Sequence, residues 1–270
     1  MSSETMVLVE RLFDRFPLLS QQHFLVFNLD GQPQLQQGPT CGLVALSIAS
    51  SMMTSKDSHG SSHLSALLQA AQESKMTLRG EMFSADNMAR LSTEFYHMPA
   101  DVTTSVLSYP EELVKCLLQE SPILVPYDKD KNNEPCVSHG HSAHWAVITG
   151  FMVPFASGYV HLLAPFTHLC DGRPQVRYVR QGEGRLKCLL TKSEWISHMV
   201  SDLLQIYVFA RHGQSRHLAL WVLDTLVKSN SNLDELDPRK SPDDFIVPEG
   251  GLSVGLKSKT VVMKSVGCWI

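Results

Sequence analysis

Residues 36–49 read QQGPTCGLVALSIA, and this stretch decides how the rest of the chain is interpreted. Gly38 and Pro39 favour a turn, and an uncharged apolar run follows Cys41, so the pattern predicts that Cys41 lies in the first turn of a buried helix. A helix start carries partial positive charge and unpaired N–H groups, which favour a thiolate with a lowered pKa. The same N–H groups can hold the oxyanion of a tetrahedral intermediate. We therefore interpret Cys41 as a candidate nucleophile.

The candidate base is His144, which lies in the segment 140–150, GHSAHWAVITG. This histidine stands at the beginning of an apolar, β-branched run that is typical of a buried strand. More than a hundred residues separate it from Cys41, so the two side chains can meet only through the fold. Distant cysteine and histidine partners are typical of cysteine hydrolases, in which the imidazole activates the thiol.

Gln36, five residues before Cys41, is the candidate side-chain donor of an oxyanion hole, beside the backbone N–H of the cysteine. Its spacing from the cysteine favours it over Gln37. The alternative is that Gln36 is a surface residue in a glutamine-rich stretch that also includes Gln32 and Gln34.

A catalytic imidazole is commonly oriented by a third group, often Asp or Asn. The strand candidates 159–163 and 206–209, which follow His144, end without a carboxylate. The nearest candidate is Asp128, which follows residues 123–127, with Asp130, Asn132 and Asn133 behind it. The alternative is that Asp128 only solvates the polar loop that follows it.

Cys136, His139, His141 and His144 form a C-x2-H-x-H-x2-H pattern that can be mistaken for a zinc site. The spacing is tighter than in usual zinc frameworks, and no second cysteine pair accompanies it. We therefore expect no metal and no other cofactor. His139 and His141 are interpreted as solvated loop residues, in contrast to the rigidly held His144.

The chain has 270 residues, 43% of them apolar, which is enough for one large domain or two small ones with a substantial core. A formal charge of −4 without a basic block indicates neither nucleic acid nor a membrane surface as a partner. No apolar run approaches the roughly 18 residues of a membrane span, and the first residues lack the pattern of a signal peptide. Six cysteines without a close C-x-x-C pair indicate reduced thiols, so we expect a cytoplasmic protein.

The order of predicted elements indicates an α+β fold. Helical patterns dominate the chain up to about residue 121, and strand patterns dominate after it. Helices first and sheet second, with the cysteine at a helix start and the histidine on a later strand, is the arrangement of a papain-like hydrolase. Among the later elements, strands are predicted at 159–163, 186–190 and 245–247, a helix at 191–204, and a strand or a helix at 218–227.

Five sequence blocks are specific when taken together: QxGPxCGLVAL at 36–46, GEMFS at 80–84, VPYD at 125–128, NEPC at 133–136 and GHxAHWAV at 140–147. They resemble the actin maturation protease (actin aminopeptidase) family, which is related to the C39-like cysteine peptidases. With a weaker likeness at 245–251, the resemblance spans about residues 36–257. It implies a papain-like/C39-like fold, with an N-terminal helical part packed on an antiparallel β-sheet. Residues 1–35 are then expected to form an N-terminal extension packed on a peptidase domain of residues 36–270.

The resemblance also implies the reaction. Family members remove the N-acetylated first residue of actin, acetyl-Met or acetyl-Cys, and expose an acidic residue that is then acetylated again. Cys41 corresponds to the nucleophile, His144 to the base and Gln36 to the oxyanion residue. Two alternatives stay open, namely another papain-like thiol hydrolase or acyl-transfer enzyme that acts on a different amide, and a non-catalytic protein-binding module with the same fold.

Actin is therefore the expected substrate and partner. Arg79, Lys129 and Lys131 are close in sequence to the matching blocks, so we expect them to meet the acidic residues beyond the cleaved bond. Some family members carry a long proline-rich N-terminal extension associated with recruitment of profilin–actin. This sequence shows none, which weakens the expectation of profilin as a second partner.

Overall fold

The computed structural model describes residues 2–54, 61–164, 167–170, 173–182 and 205–264. These residues form an α+β fold, as predicted, in which helices pack against one mixed sheet of ten strands. None of the helices in these ranges is long and apolar enough to cross a bilayer.

The helices are α1 (Ser3–Arg15), α2 (Cys41–Met53), α3 (Ser61–Glu73), α4 (Ala85–Tyr96), α5 (Pro110–Leu118), α6 (Val160–Leu163), α7 (Leu223–Asn230) and α8 (Gly251–Gly255). The strands are β1 (His23–Asn28), β2 (Ala100–Thr103), β3 (Ile123–Lys129), β4 (Pro135–Cys136), β5 (Ala143–Phe155), β6 (His168–Cys170), β7 (Arg173–Tyr178), β8 (Tyr207–His212), β9 (Ala219–Val222) and β10 (Thr260–Met263).

The long strand β5 is the centre of the sheet. Along one edge of β5, residues 143–148 pair with β3 and residues 150–155 pair with β1. Along its other edge, residues 146–152 pair with β8, and all three pairings are antiparallel. The sheet continues from β3 to β10 and β2, and from β1 to β7 and β6, while β4 and β9 pair with β3 and β8. β1 runs parallel to β7, so the prediction of a purely antiparallel sheet is wrong at that pair.

The helix α2 is the buried helix that the sequence predicts. Its buried residues run without interruption from Gly42 to Ser50, so it presents no polar face to water. It packs against β3, β5 and β8, and this packing determines where Cys41 lies relative to the sheet. An added Cβ at Gly42 would lie 2.7 Å from Met88 Cε and 3.0 Å from Met82 Cβ. The start of the helix therefore lies tight against its neighbours.

Most of the predicted elements are confirmed, with two exceptions. Residues 159–163 form a tight turn and the short helix α6 rather than a strand, and residues 245–247 are irregular. Apolar runs this short carry too little periodicity to distinguish a strand from a helix or a packed loop. The segment 218–227 contains both of its alternatives, because β9 leads directly into α7. The predicted strand 186–190 and helix 191–204 lie outside the described residues.

The first thirty residues are integrated into the fold. β1 lies between β5 and β7, and α1 covers a second, smaller core in which the rings of Phe13 and Phe24 meet edge to face at 5.7 Å. Glu4 Oε2 accepts a hydrogen bond from Arg211 Nη2 at 2.5 Å, which ties α1 to β8. The division of the chain at residue 35 stays a prediction.

Gly150 lies where β5 bulges and β1 passes beside it. An added Cβ would collide with the Phe27 carbonyl oxygen and lie 2.6 Å from Asn28 Cα. Because both are backbone atoms of a central strand, we expect Gly150→Ala to lower the free energy of unfolding by about 1–3 kcal/mol. Urea unfolding followed by circular dichroism measures the change. Gly158→Ala is the matched control, since nothing lies within 4 Å of its Cβ position. Equal losses in the two variants would contradict this account.

Candidate active site

Cys41 is the first residue of α2. The hydroxyl of the preceding Thr40 donates to the Gln37 carbonyl at 3.0 Å, so it does not cap the helix. The backbone N–H groups of Trp145, Gly42 and Cys41 itself act to lower the pKa of the thiol. A helix start with converging N–H groups is suited to stabilise negative charge that develops during a reaction.

In the resting protein the Cys41 side chain is a neutral thiol. Burial raises the pKa of the Cys41 thiol above its ordinary value of 9.0, and the N–H groups of Trp145 and Gly42 and the charge of Lys240 reverse only part of that rise. The expectation of a resting thiolate is therefore wrong. The physical reason is desolvation, since removal of water penalises the anion more than the surrounding dipoles stabilise it.

His144 lies on β5 directly opposite Tyr127 of β3, and it is buried. Opposite residues of an antiparallel pair share one face, and the two rings meet edge to face with centroids 5.9 Å apart. On the other edge of β5, the His212 ring lies 6.1 Å from the His144 ring and stacks on Trp221 at 6.0 Å. Burial, and then the charges of His212 and Lys129, lower the pKa of His144 to about 3, so the resting imidazole is neutral.

One cleft of about 130 Å³ brings together Cys41, His144 and Gln36. Trp145 holds one wall of the cleft, because its indole Nε1–H donates to the Met82 carbonyl at 2.7 Å. A larger cavity of about 510 Å³ borders the loop before α2, but neither the cysteine nor the histidine lines it. The smaller cleft is therefore the candidate site. Its other lining residues are Pro39, Glu81, Met82, Phe83, Ala143, Trp145, Lys240, Phe245 and Leu256.

Gln36 is held at the edge of the cleft by its backbone. Its N–H donates to the Gly213 carbonyl at 2.8 Å, and its side-chain Nε2 donates to the Gly38 carbonyl at 2.9 Å. Its Oε1 is buried and has no hydrogen-bond partner among the described residues. One N–H of the side-chain amide is thus engaged in the resting protein, and the second N–H of the same group is the donor available for an oxyanion role.

Asp128 is fully buried but belongs to the opposite face of β3 from the imidazole. Side chains alternate along a strand, so Tyr127 shares a face with His144 and the next residue points away. The Asp128 carboxylate accepts three backbone N–H groups from residues 138–142, at 2.8–3.0 Å. The carboxylate therefore anchors the loop that leads into β5, and the structure does not bring it to the imidazole as a third group.

The side chain that lies beside the His144 imidazole is that of His212. The sequence prediction considered Asp and Asn for this place and did not include a histidine. Its Nδ1 accepts the Gln214 N–H at 3.2 Å, so in the neutral ring the proton lies on Nε2. Burial, and then the charge of Lys129, lower the pKa of His212 to about 4. The Nε2 of His144 is buried and has no hydrogen-bond partner among the described residues. The only sign of this position in the sequence is that His212 closely follows the strand predicted at 206–209. In the structure it is the last residue of β8, which pairs with β5.

None of the three cations predicted to meet the substrate lines the cleft. Arg79 is exposed and forms an ion pair with Asp244 at 3.1 Å. Lys131 is exposed in the turn that follows β3. These positions do not bring either side chain to the cysteine.

Two cations, Lys129 and Lys240, are close enough for their charge to act on His144 or Cys41. Lys129 follows Tyr127 by two residues and shares its face of β3, and its charge lowers the pKa of His144. Lys240 lines the cleft, and its charge reaches the sulfur of Cys41. Lys240 lies in a polar loop outside the five matching sequence blocks, so no block of the sequence pointed to it.

The residues of the zinc-like pattern have other partners. His139 Nδ1 lies 3.4 Å from Asp234 Oδ2, and His141 Nε2 lies 3.0 Å from Glu235 Oε1. Within the part of the chain that the structure describes, no three His, Cys, Asp or Glu side chains are placed to share a metal ion.

Replacement of Asp128 tests its assignment as a loop anchor. In Asp128→Asn, an NH2 group faces at least one of the backbone N–H donors, which leaves a buried donor without an acceptor. We expect the free energy of unfolding to fall by about 1.5–3 kcal/mol, measured by urea unfolding. Asp130→Asn is the matched control, because Asp130 also accepts two backbone N–H groups but lies in an exposed turn. An Asp128→Asn variant of unchanged stability would argue against the anchor.

The neutral cysteine–histidine pair predicts a specific pH dependence of thiol alkylation. Because the thiol pKa is raised and that of His144 is about 3, the thiolate fraction of the free protein rises with pH throughout the neutral range. The rate of Cys41 alkylation by iodoacetamide should therefore increase roughly tenfold per pH unit from about pH 6 to pH 8. Peptide-resolved mass spectrometry measures it, with Cys116, whose pKa is also raised, as internal comparison. A rate plateau between pH 4 and pH 8 would instead indicate a thiolate–imidazolium pair.

Comparison with known proteins identifies relatives of this chain. The family described as "Actin maturation protease-like, C-terminal domain" matches residues 31–152. The chain is 31% identical over 247 residues to the actin maturation protease of Danio rerio, covering 89% of this chain and 74% of that protein. It is 35% identical over 239 residues to the protein of that name from Drosophila melanogaster, covering 86% and 68%, and 31% identical over 261 residues to that from Bos taurus, covering 93% and 69%. The resemblance seen in the sequence blocks is thereby confirmed, and the chain belongs to the actin maturation protease family.

Proposed function

We propose that the protein is a cysteine peptidase with a papain-like/C39-like fold, and that it matures actin by removing the N-acetylated first residue. The observation that carries the proposal is the cleft shared by Cys41, at the start of α2, and His144, on β5. Family membership and relatives named for actin maturation support the substrate. A cysteine at a helix start that meets a strand histidine distant in sequence supports the fold assignment.

The proposed reaction starts from two neutral groups. When the substrate amide fills the cleft, the Cys41 thiol transfers its proton to His144, and the sulfur attacks the carbonyl carbon of the acetylated residue. The carbonyl electron pair moves to oxygen, where the Cys41 N–H and the second N–H of Gln36 Nε2 stabilise it.

The second half of the reaction uses the same imidazole. His144 returns its proton to the amine nitrogen as the C–N bond breaks, so shortened actin leaves and the acetylated residue remains as a thioester on Cys41. The neutral imidazole then takes a proton from water, whose oxygen attacks the thioester carbon. Collapse of this intermediate releases the acetyl amino acid and restores the thiol.

The lining of the cleft agrees with an acetylated substrate. An acetylated terminus carries no ammonium group, so its site requires apolar surface rather than a free carboxylate. Met82, Phe83 and Leu256 supply apolar surface. The Glu81 carboxylate is already engaged, since its two oxygens accept the backbone N–H groups of Leu78 and Arg79 at 2.8 Å each.

The proposed partner is actin, as substrate. Profilin is left out, because no feature of the described residues bears on profilin binding. The four cysteines within the described ranges are free thiols, which suits the reducing conditions of the cytoplasm as the proposed compartment.

Unprocessed, N-acetylated actin provides the direct test. The wild-type protein should release the first residue, which intact-mass spectrometry of actin detects. Cys41→Ser should give no detectable product at the same enzyme concentration, because a serine hydroxyl is much less acidic than a thiol and gives up its proton to the imidazole less readily. His144→Ala should reduce the rate by about 10²–10⁴-fold, and Gln36→Ala by about 10²-fold or more.

Matched replacements separate these roles from effects on folding. Cys116→Ser changes a half-buried cysteine that does not line the cleft, and His139→Ala changes an exposed histidine bound to Asp234. Both should process actin at the wild-type rate, and circular dichroism should show folded protein for every variant. Processing by Cys41→Ser would exclude a cysteine mechanism. Selective labelling of Cys41 without any actin processing would favour another thiol hydrolase, and absence of both would favour a binding module.

A further inference from the structure

Of the two charged side chains that line the cleft, one has hydrogen-bond partners within the protein and the other has no carboxylate partner among the described residues. Besides the reacting pair, the lining includes one carboxylate, Glu81, and one ammonium, Lys240. Glu81 is buried, and the backbone N–H groups of the loop before it occupy both of its oxygens. Both of its oxygens therefore already accept hydrogen bonds from the protein itself.

Lys240 is an exposed side chain without a carboxylate within 4.0 Å among the described residues. The neighbouring acid, Asp237, is occupied by Arg239, whose Nε and Nη2 donate to its two oxygens at 3.0 and 2.7 Å. The Lys240 backbone N–H donates to the Asp237 carbonyl at 2.9 Å, which fixes the turn from which the side chain extends. The ammonium charge is thus available to a ligand in the cleft.

The Lys240 ammonium lies over the aromatic ring of Phe245. Lys240 Nζ lies 5.9 Å from the centroid of the Phe245 ring, and Phe245 also lines the cleft. Such a cation–π contact holds an ammonium over the ring without neutralising its charge. The Phe245 ring meets Phe83 edge to face at 5.6 Å, so the support belongs to the packed wall of the cleft. The influence of Lys240 on the thiol of Cys41 agrees with this position.

The chemistry of the proposed substrate indicates which charge Lys240 meets. Acetylation removes the charge of the first residue's amine, so a charged group next to the scissile amide must come from the residue on the departing side. Arg79 is unsuited to that contact, because its guanidinium is paired with Asp244. Lys131 is exposed outside the cleft lining.

We propose that Lys240, supported by Phe245, forms an anion subsite that selects substrates with a carboxylate side chain on the first residue after the cleaved bond. This inference rests on the proposed peptidase function and adds the residue that determines specificity. The ammonium is exposed, so its attraction for the carboxylate is screened by solvent and weakens as the salt concentration rises.

Three acetylated peptides that differ only in their second residue, Asp, Asn or Lys, test the subsite with the full-length protein. The wild type should cleave the Asp peptide with a kcat/KM roughly tenfold above that of the Asn peptide, as expected for loss of one charge-assisted contact. Lys240→Met should reduce this ratio to about one, Lys240→Arg should retain it, and Lys240→Glu should favour the Lys peptide. Rising salt should reduce the wild-type ratio.

Arg79→Met and Lys131→Met are the matched controls, and both should keep the wild-type ratio. Retention of the ratio in Lys240→Met would overturn the inference, as would an equal loss of rate on both peptides, which indicates an effect on the thiol or the fold. Loss of the ratio in Arg79→Met would assign the subsite to Arg79 instead. Failure of the proposed function is distinguishable, because the wild type would then cleave neither these peptides nor actin, and the inference would fall with it.

Discussion

The antiparallel pairing of β3 with β5 is the constraint on which the site depends. Its register places Tyr127 opposite His144 and sends Asp128 to the other face, where the carboxylate holds the loop 138–142. A slip by one residue would bring a carboxylate against the aromatic rings around the imidazole and would strip buried N–H groups of their acceptor. Because either change is unfavourable, one register orients His144, the proposed base, and orders the loop that precedes it.

The end of β8 couples two further parts of the site. His212 packs against the imidazole of His144, while the carbonyl of the next residue, Gly213, accepts the backbone N–H of Gln36. An added Cβ at Gly213 would lie 2.9 Å from Gln36 Cβ and 3.2 Å from Val44 Cγ1, so a larger residue here would displace Gln36 or its neighbour. The base and the proposed oxyanion residue therefore depend on the same turn.

Desolvation gives the cleft its electrostatic character. Burial raises the pKa of Cys41 and lowers that of His144, so both groups are neutral at rest. The N–H groups at the helix start and the ammonium of Lys240 are nevertheless oriented before any charge appears. Such preorganisation favours charge that develops on a substrate over charge stored on the resting protein, and it agrees with a peptidase that acts on an uncharged, acetylated terminus.

The sequence by itself determined the buried helix after Cys41, the strand after His144, the α+β class and the family, because turn residues, apolar periodicity and contiguous blocks are local signals. Only the tertiary structure decided that Asp128 faces away from the imidazole, that His212 stands beside it, and that Lys240 reaches the cleft. Their positions depend on which strand edges pair, on the face to which each side chain points, and on where a distant loop returns to the sheet. The neutral state of the Cys41 thiol was also decided by the tertiary structure. A helix start favours an anion, but the surrounding core determines how much water remains to solvate that anion.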